Sequence, residues 1–422
     1  MNQTQKPWTE SMPDEQFDLL RRILAAPSPV GFEAAMTRGV LEPHFGAFKP
    51  ASWAVETYRG NAGIVLDTHP GRDDLFTVMI VGHADKIRMQ VRSIADDGKI
   101  WIESDSFLPS TLIGHEVLLF SEDPAAPGRY RALEGGTIEA IGAIHFADAK
   151  LRDGDRGIRK NMLYLELQLH GEKKKEQVKN LGIKPGDPII LNRPIKRAFS
   201  PDTFYGAYLD NGVGCFVTAE CARLVAELGG LQNVRVLYTI AAYEEIGRLG
   251  SRVQAQLHKP DVLIAVDVNH DFDAAPGVKD KHFSPMSMGK GFTLSVGSVV
   301  SEYLNSLIKQ VALDHEIPYM ESVSGRDTGT DAMAAVLASI DAAVTSIGFP
   351  IRNMHTISET AHTGDILAAV WVLVRLLQKM DAMNGGAGIT SADFQNGHPR
   401  LDRVDPMPRP TPVASSTESA DT

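Results

Sequence analysis

The stretch "LFTVMIVGHAD" (residues 75–85) is a nearly continuous run of apolar and β-branched residues that ends in His83 and Asp85. Such a run is typical of a strand that is buried on both faces of a sheet. Two further runs, "VRVLYTIAAYEE" (234–245) and "VLIAVDV" (262–268), have the same character and also lead into carboxylates. Helical patterns separate these runs, so the sequence predicts an α/β fold with a mostly parallel sheet covered by helices.

The pattern changes between residues 88 and 198, where short alternating runs are separated by Gly, Pro and Asp turns. This segment is predicted to be a small β-rich domain inserted into the α/β domain, which then consists of residues 1–87 and 199–382. The final segment, 383–422, is rich in Pro, Gly and Ser, a composition that predicts a disordered tail.

The overall composition limits the classes of function. The chain has 422 residues, 43% of them hydrophobic, which is enough for more than one domain. Its net charge of −11 argues against nucleic acid or an anionic membrane as the main partner. The two cysteines, the lack of a signal-peptide pattern and the lack of an apolar run of ~20 residues predict a cytoplasmic protein.

Candidate metal ligands follow the predicted strands. Five residues of suitable type are expected to meet where the strands end, namely His83, Asp210, Glu245, Asp267 and His355. Histidines and carboxylates without a thiolate suit zinc, cobalt or manganese. Because an open catalytic zinc site takes only about three protein ligands, we expect two divalent ions that share a bridging carboxylate.

Glu244 and Glu245 are adjacent carboxylates directly after a buried strand. The pair could simply be a solvated turn, just as Asp210 could cap the helix that follows it and Asp267 could end its strand in a turn. If Glu245 binds a cation, however, Glu244 is free to take a proton from water and to deliver it to a leaving amine. We therefore interpret the two glutamates as one catalytic device.

Six motifs resemble, in the same order, those of the dinuclear-metal glutamyl or tetrahedral aminopeptidases, a family in which some members are named endoglucanases. The motifs are "HAD", "YLDNGVG", "EEIGRLGS", "AVDV", "TGTDA" and "PIRNMHTISE", and the resemblance covers roughly residues 15–380. It implies a phosphorylase/hydrolase-like catalytic domain with an inserted PDZ-like β domain that makes dimers, which assemble in many members into a dodecamer. It also implies that the substrates are short peptides with a free N-terminus.

The resemblance further implies a role for each candidate residue. It implies that His83 and Asp267 bind one ion and that Glu245 and His355 bind the other. Asp210 is implied to bridge the two ions. Glu244 is implied to be the general base and Asp85 the residue that orients the His83 site. The reaction expected of such a site is attack by a metal-bridging hydroxide on the first peptide carbonyl.

The chain also departs from the family pattern. Lys86 and Arg88 occupy positions where Glu and Gly are usual, and Gly212 occupies a position where Arg is common. We expect these changes to add positive charge beside the first ligand and to remove it near the bridge. They are compatible with the branch of this family that accompanies bacterial synthesis of a blocked glutamine-dipeptide osmolyte. Arg352 either binds a substrate carboxylate or carbonyl or forms a structural salt bridge.

Three alternatives to the aminopeptidase remain at this point. A hydrolase of the same mechanism could act on a blocked dipeptide or an acylated amino acid, which Lys86 and Arg88 make plausible. A catalytically silent scaffold could use the β-rich domain for assembly, but the complete ligand set beside Glu244 counts against it. A glycosidase needs two opposed carboxylates around a sugar, whereas the carboxylates here are expected to bind metal.

Overall fold

The computed structural model describes residues 6–104, 106–142, 146–274, 284–386, 388–390 and 393–394. In chain order its strands are β1 (Ala54–Tyr58), β2 (Gly63–Asp67), β3 (Phe76–His83), β4 (Met89–Ile94), β5 (Ile100–Ser104), β6 (Glu116–Glu122), β7 (Tyr130–Glu139), β8 (Tyr164–Glu166), β9 (Pro188–Leu191), β10 (Lys196–Arg197), β11 (Thr203–Gly206), β12 (Val234–Ala241), β13 (Val262–His270), β14 (Phe292–Val296), β15 (Tyr319–Val323), β16 (Ala343–Ile351) and β17 (Glu359–His362). The helices are α1 (Asp14–Ala25), α2 (Ala34–Met36), α3 (Glu42–Phe48), α4 (Ala149–Arg152), α5 (Lys174–Asn180), α6 (Leu209–Glu227), α7 (Leu249–His258), α8 (Glu302–Asp314), α9 (Ala334–Leu337) and α10 (Thr363–Gly385).

An eight-stranded sheet with the order β1-β2-β12-β3-β13-β16-β14-β15 forms the centre of the α/β part. The four middle strands, β12, β3, β13 and β16, run parallel to one another, whereas β2 pairs with β12 and β14 pairs with β16 in antiparallel orientation. The sheet is therefore mixed, with a parallel centre. The predicted α/β class is confirmed.

Both faces of the sheet are covered, as the apolar run at 75–85 predicts. Along β3 the side chains of Val78 and Ile80 pack into the core shared with α1, α6 and α10. Met79 and Val81 point to the other face, where they pack with residues of α7 and α9. This alternation explains why the strand has no polar face.

The segment between β3 and β10 contains a closed antiparallel barrel of β4, β5, β8, β7, β6 and β9. The barrel has its own core, which includes Met89, Leu165 and Ile189. Tyr208 belongs to that core as well, and its hydroxyl accepts the backbone N–H of Leu191 over 2.7 Å. The start of α6 is thereby attached to the barrel.

The end of the α/β part extends beyond the boundary expected at residue 382. Helix α10 continues to Gly385, and the buried ring of Phe394 stacks on Phe76 with 5.6 Å between the ring centroids. The remainder of the predicted tail, 395–422, lies outside the described residues. Among the described helices, none has the length and apolar composition needed to cross a membrane.

Candidate metal centre

The parallel middle of the sheet brings four of the predicted ligands to one edge. His83 is the last residue of β3, and Asp267 lies in the neighbouring strand β13. Glu245 comes four residues after the end of β12, and His355 four residues after the end of β16. Parallel strands place their carboxyl ends on the same side of a sheet, so the loops that carry these residues converge.

Asp210 reaches the same edge from the start of α6. Its backbone angles are not helical (φ −80°, ψ 111°), and the peptide bond between Asp210 and Asn211 is cis. The Asn211 side chain donates to the carbonyl of Val266 over 2.8 Å and accepts from the backbone N–H of Gly214 over 2.9 Å. These bonds hold the segment against β13, so the Asp210 carboxylate is directed at the strand ends.

The carboxylate of Asp210 lies between the two predicted histidine ligands. Its Oδ1 is 3.4 Å from Nε2 of His83, and its Oδ2 is 3.2 Å from Nε2 of His355. Ligand atoms of His83, Asp210 and Glu245 all lie within 4.8 Å of one another, and Oδ1 of Asp267 is 3.9 Å from His83 Nε2. The fold thus brings all five predicted ligands together around one carboxylate.

Asp85 anchors the two adjacent glutamates. Its carboxylate accepts the backbone N–H of Glu244 over 3.0 Å and that of Glu245 over 3.1 Å. Its own carbonyl lies 3.1 Å from Nδ1 of His83, and its Oδ1 lies 3.6 Å from the same nitrogen. Asp85 therefore contacts the His83 ring and fixes the Glu244–Glu245 turn at the same time.

The side chains of the two glutamates have different surroundings. Glu244 has Oε2 3.9 Å from His83 Nε2 and Oε1 3.4 Å from Nε of Arg248. Glu245 instead contributes its carboxylate to the group with His83 and Asp210, and its buried Oε1 has no hydrogen-bond partner among the described residues. A buried carboxylate oxygen without a donor is costly, so this oxygen fits a cation ligand.

The concentration of carboxylates changes their proton affinities. Burial raises the pKa of Glu244 to about 8 and that of Glu245 to about 10, with nearby carboxylates adding to both shifts and His83 opposing them. Burial also disfavours ionised Asp210, but hydrogen bonds from His355 and His83 outweigh it and lower the pKa of Asp210. Such a cluster of buried like charges, with imidazole and carboxylate donors and no thiolate, fits hard to borderline divalent cations.

Sequence reasoning overlooked Glu359, which sits inside the "HTISE" motif. Its buried carboxylate accepts the backbone N–H of Leu209 over 2.6 Å and that of His355 over 2.7 Å. Glu359 therefore connects the loop of the predicted ligand His355 to Leu209, the residue before the predicted ligand Asp210. The signal was present, since Glu359 follows His355 by four residues, but the backbone partner from α6 cannot be read from spacing.

Asp331 and Arg248 also lie near the centre. Asp331 is buried and accepts a hydrogen bond from the Ser251 hydroxyl, and burial raises its pKa to about 6. It does not cap α9, whose N-cap position is Met333; Asp331 instead begins a short 3₁₀ turn, which the Thr330 hydroxyl caps by accepting the N–H of Ala332. Arg248 pairs with Asp327 over 2.9 Å as well as with Glu244.

Two of the departures from the family pattern are explained by packing at the end of α1. Lys86 is 1% exposed, and its ammonium donates to the carbonyls of Leu24 and Ala26. The same ammonium lies over the ring of Tyr208. A side chain at Gly212 would overlap Leu24, since a Cβ there would lie 2.4 Å from Leu24 Cδ2. We expected the positive charge of Lys86 to lie beside the first ligand. Its side chain instead points to the C-terminal end of α1.

Arg88 and Arg352 keep their charges nearer to solvent. Arg88 is half-buried and donates to the carbonyl of Val30 over 2.9 Å and to the Gln90 side chain over 3.0 Å. Arg352 donates from Nε to the buried carboxylate of Asp271 over 2.6 Å, which is the salt bridge that the sequence left open. That bond does not test substrate binding by Arg352, which stays a prediction.

The chain is similar to known aminopeptidases. The family model described as M42 glutamyl aminopeptidase matches residues 63–372. A lysyl aminopeptidase from Pyrococcus furiosus is 28% identical over 308 residues, which are 73% of this chain and 83% of that protein. A putative aminopeptidase from Acetivibrio thermocellus is 23% identical over 373 residues, or 86% of this chain and 99% of that protein.

Solved structures share the fold. The TET aminopeptidase of a marine sediment archaeon of the Thaumarchaeota superposes with a TM-score of 0.76 at 19% identity, over 92% of this chain and 100% of that chain. The TET1 peptidase of Pyrococcus horikoshii, which can assemble into a tetrahedron or a large octahedral shell, gives a TM-score of 0.69 at 18% identity, over 86% and 99%. Together with the family match, which spans most of the chain, these findings show that the chain belongs to the M42 glutamyl aminopeptidase family and is a metal-dependent aminopeptidase.

Proposed function

We propose that this protein removes the N-terminal residue of short peptides at a centre of two divalent metal ions. The observation that carries the proposal is the position of Asp210, whose two carboxylate oxygens face different histidines over 3.4 and 3.2 Å. A single carboxylate with an imidazole on each side is suited to bridge two cations. In this assignment His83 and Asp267 complete one site, and Glu245 and His355 complete the other.

Zinc or cobalt is the expected ion, and manganese is the third choice, because the donors are imidazole nitrogens and carboxylate oxygens. Divalent cations held by these residues would lower the pKa of water and would polarise the carbonyl oxygen of the substrate. The chain itself supplies the ligand set, the burial that excludes bulk water, and the donors that fix each ligand. Asp85 and Glu359 serve the last purpose, since each accepts backbone N–H groups at or beside a proposed ligand.

Glu244 is the residue that we assign as general base. Its carboxylate reaches the same cluster, with Oε2 3.9 Å from His83 Nε2, but its other oxygen pairs with Arg248, whereas Oε1 of Glu245 has no hydrogen-bond partner among the described residues. In this role Glu244 takes a proton from the attacking water and delivers it to the nitrogen of the departing peptide. Arg248, at 3.4 Å, holds the other oxygen of the same carboxylate.

The experiment compares free and N-acetylated dipeptides on the purified protein supplied with zinc, cobalt or manganese. The proposal predicts hydrolysis of the free dipeptides, loss of activity on chelation, and recovery when one of these ions is added back. A preference for the acetylated substrates would reject it in favour of a hydrolase of blocked amides. The same assay on an Arg352→Ala variant tests the prediction that Arg352 binds substrate, since loss of a substrate contact should raise KM.

We also propose that the protein is a homo-oligomer built from dimers. Support comes from solved structures of the same fold: PhTET1-12s is a dodecamer, and the TET1 peptidase of Pyrococcus horikoshii can assemble into a tetrahedron or a large octahedral shell. Light scattering on the purified full-length chain tests this, with a monomer at micromolar concentration as the contrary result. A cytoplasmic location is part of the same proposal and is compatible with the two free, buried cysteines.

A further inference from the structure

Glu244 lies so close to the proposed metal ligands that distance alone does not explain why it should differ from them. Its Oε2 is 3.9 Å from Nε2 of His83, and Oδ1 of Asp267, a proposed ligand, is at the same distance from that nitrogen. Asp85 fixes the backbone of the Glu244–Glu245 turn, but it leaves the Glu244 side chain free to rotate. A buried carboxylate either pairs with a charge or coordinates a metal, so the partner of Glu244 determines its role.

We infer that Arg248 is the positioning residue that keeps Glu244 out of the metal ligand set and available as general base. The inference rests on the proposed function and deepens it. Nε of Arg248 lies 3.4 Å from Oε1 of Glu244, so the guanidinium compensates the charge of this carboxylate. With Oε1 held on that side, Oε2 is the oxygen that remains directed at the cluster.

The carboxylates of two proposed ligands have different partners. Buried Oε1 of Glu245 has no hydrogen-bond partner among the described residues. Oδ1 of Asp267 accepts the backbone N–H of Val268 over 2.8 Å, which is a neutral donor. Glu244, by contrast, faces the full positive charge of Arg248. Since a buried carboxylate without a compensating charge is costly, the ligand carboxylates need a cation more than Glu244 does.

The guanidinium of Arg248 is itself held in place. Its Nη1 donates to Oδ2 of Asp327 over 2.9 Å. A second contact joins the same two segments, since the Ser251 hydroxyl donates to the buried carboxylate of Asp331. Burial opposes the charge of Arg248, but the hydrogen bond with Asp327 outweighs burial and raises the pKa of Arg248. The guanidinium therefore stays charged and in position.

The backbone between Glu244 and Arg248 brings the two side chains together. The N–H of Arg248 donates to the carbonyl of Glu244 over 3.0 Å, and Arg248 adopts the left-handed region (φ 59°) just before α7. This turn packs closely on the end of β12, because a Cβ at Gly250 would lie 2.4 Å from the carbonyl oxygen of Ala242. The path from residue 248 to the Glu244 carboxylate is thus fixed by the fold.

The test replaces Arg248 with methionine, which keeps a long side chain but removes the charge and the donors. In Arg248→Met we expect Glu244 to join the ligands, so the visible spectrum of the cobalt-loaded protein should differ from that of the wild type. For hydrolysis of Ala-Ala, kcat should fall by about tenfold or more, the scale of a lost charge-assisted hydrogen bond, while KM stays within about twofold. The metal content per subunit should not fall, because the site gains a carboxylate.

Asp327→Asn tests the residue that holds Arg248 without changing the Glu244 turn. It should lower kcat less than Arg248→Met does, because Arg248 keeps its charge. The variant that combines both substitutions should lose no more activity than Arg248→Met alone, since Asp327 is inferred to act through Arg248. Losses that multiply in the combined variant would overturn the inferred connection between Asp327 and Glu244.

Arg252→Met is the matched control, since Arg252 lies one turn further along α7 and donates to the carbonyl of Leu337 instead. It should leave the cobalt spectrum and kcat as in the wild type. A wild-type spectrum or a wild-type kcat in Arg248→Met would overturn the inference. Loss of metal together with a lowered melting temperature would also overturn it, because that result indicates a structural role alone.

The same measurements separate this inference from the proposed function. If the wild type cleaves Ala-Ala and Arg248→Met cleaves it equally well, the inference fails and the aminopeptidase proposal stands. If the wild type cleaves no free dipeptide with zinc, cobalt or manganese, the proposed function fails. The cobalt spectra of the wild type and of Arg248→Met then still decide whether Arg248 controls the ligand set.

Discussion

The carboxylate of Asp85 accepts the backbone N–H of Glu244 over 3.0 Å, and with its second oxygen it accepts the next N–H along the chain. One side chain from the end of β3 therefore sets the turn that follows β12. Tyr243, just before this turn, adopts the left-handed region (φ 58°), so the chain leaves the strand abruptly. This anchoring explains how adjacent carboxylates can have different surroundings and different proposed roles.

Substitution of Asp85 tests that anchoring. In Asp85→Asn, the backbone N–H of either Glu244 or Glu245 would face the amide N–H₂ group, which cannot accept it. The turn should therefore lose a charge-assisted hydrogen bond, and the two glutamates should shift. We expect kcat/KM to fall by roughly 10- to 100-fold, the usual cost of removing a group that supports metal ligands. Metal affinity, measured by competition with a chromophoric chelator, should fall in the same variant.

Asp381 offers a matched control for this experiment. Its carboxylate also accepts two consecutive backbone N–H groups, those of Gln232 at 2.9 Å and Asn233 at 2.6 Å, in a part of the fold without proposed ligands. Asp381→Asn should lower thermal stability without changing metal affinity. Equal metal affinities in the Asp85 and Asp381 variants would contradict the role assigned to Asp85.

Metal binding should stabilise the folded chain. Without cations the carboxylates of Glu244, Glu245 and Asp267 are buried close to one another, and burial raises the pKa of each. A cation that binds only the folded state adds about 2.7 kcal/mol at a free concentration one hundred times its Kd. Differential scanning calorimetry after chelation and after addition of zinc measures the difference. A melting temperature that does not respond to zinc would contradict the proposed centre.

Glu33 gives a prediction for pH dependence. Its side chain is 0% exposed, and burial raises its pKa from 4.5 to about 7. The folded state therefore binds more protons than the unfolded state between these values, so stability decreases as pH rises from 4.5 to 7. Glu33→Gln keeps the acceptor for the N–H of Gly31 and should remove a decrease of up to about 3 kcal/mol across that window.

Urea denaturation at several pH values between 4.5 and 7 measures this effect as the difference between wild type and variant. Glu172→Gln, at an exposed position of the barrel segment, is the control for loss of a carboxylate alone. The difference between wild type and Glu33→Gln should grow with pH, whereas that for Glu172→Gln should stay flat. Parallel curves for both variants would disprove the assignment.

Gly214 is predicted to be intolerant of a side chain. A Cβ at this position would lie 2.4 Å from the carbonyl oxygen of Val266 and 2.3 Å from Oδ1 of Asn211. Gly214→Ala should therefore destabilise the fold by about 1–3 kcal/mol and weaken metal binding, because it pushes the Asp210 segment off β13. In Gly46→Ala, where a Cβ meets nothing within 4 Å, stability should be unchanged or higher. Chemical denaturation compares the two.

The sequence predicts the central strands and the convergence of the five candidate ligands because both depend on simple patterns. A strand such as β3 is apolar throughout, and ligand types follow its end. It does not predict the backbone partners of Asp85 or Glu359, because those depend on the path of loops from distant parts of the chain. The direction of the Lys86 side chain was also unpredictable, since it is decided by carbonyls exposed at the end of α1.

We propose that two ions are held by five residues while Glu244 binds neither ion; the five are His83, Asp210, Glu245, Asp267 and His355. The most direct measurement is elemental analysis of metal per subunit in the wild type and in the Glu244→Gln and Glu245→Gln variants, alongside their kcat. We predict two ions in the wild type, two in Glu244→Gln with kcat lowered by at least about 100-fold, and fewer in Glu245→Gln. A single ion in the wild type, or the same loss of metal in both variants, would contradict a two-ion centre with Glu244 as its general base.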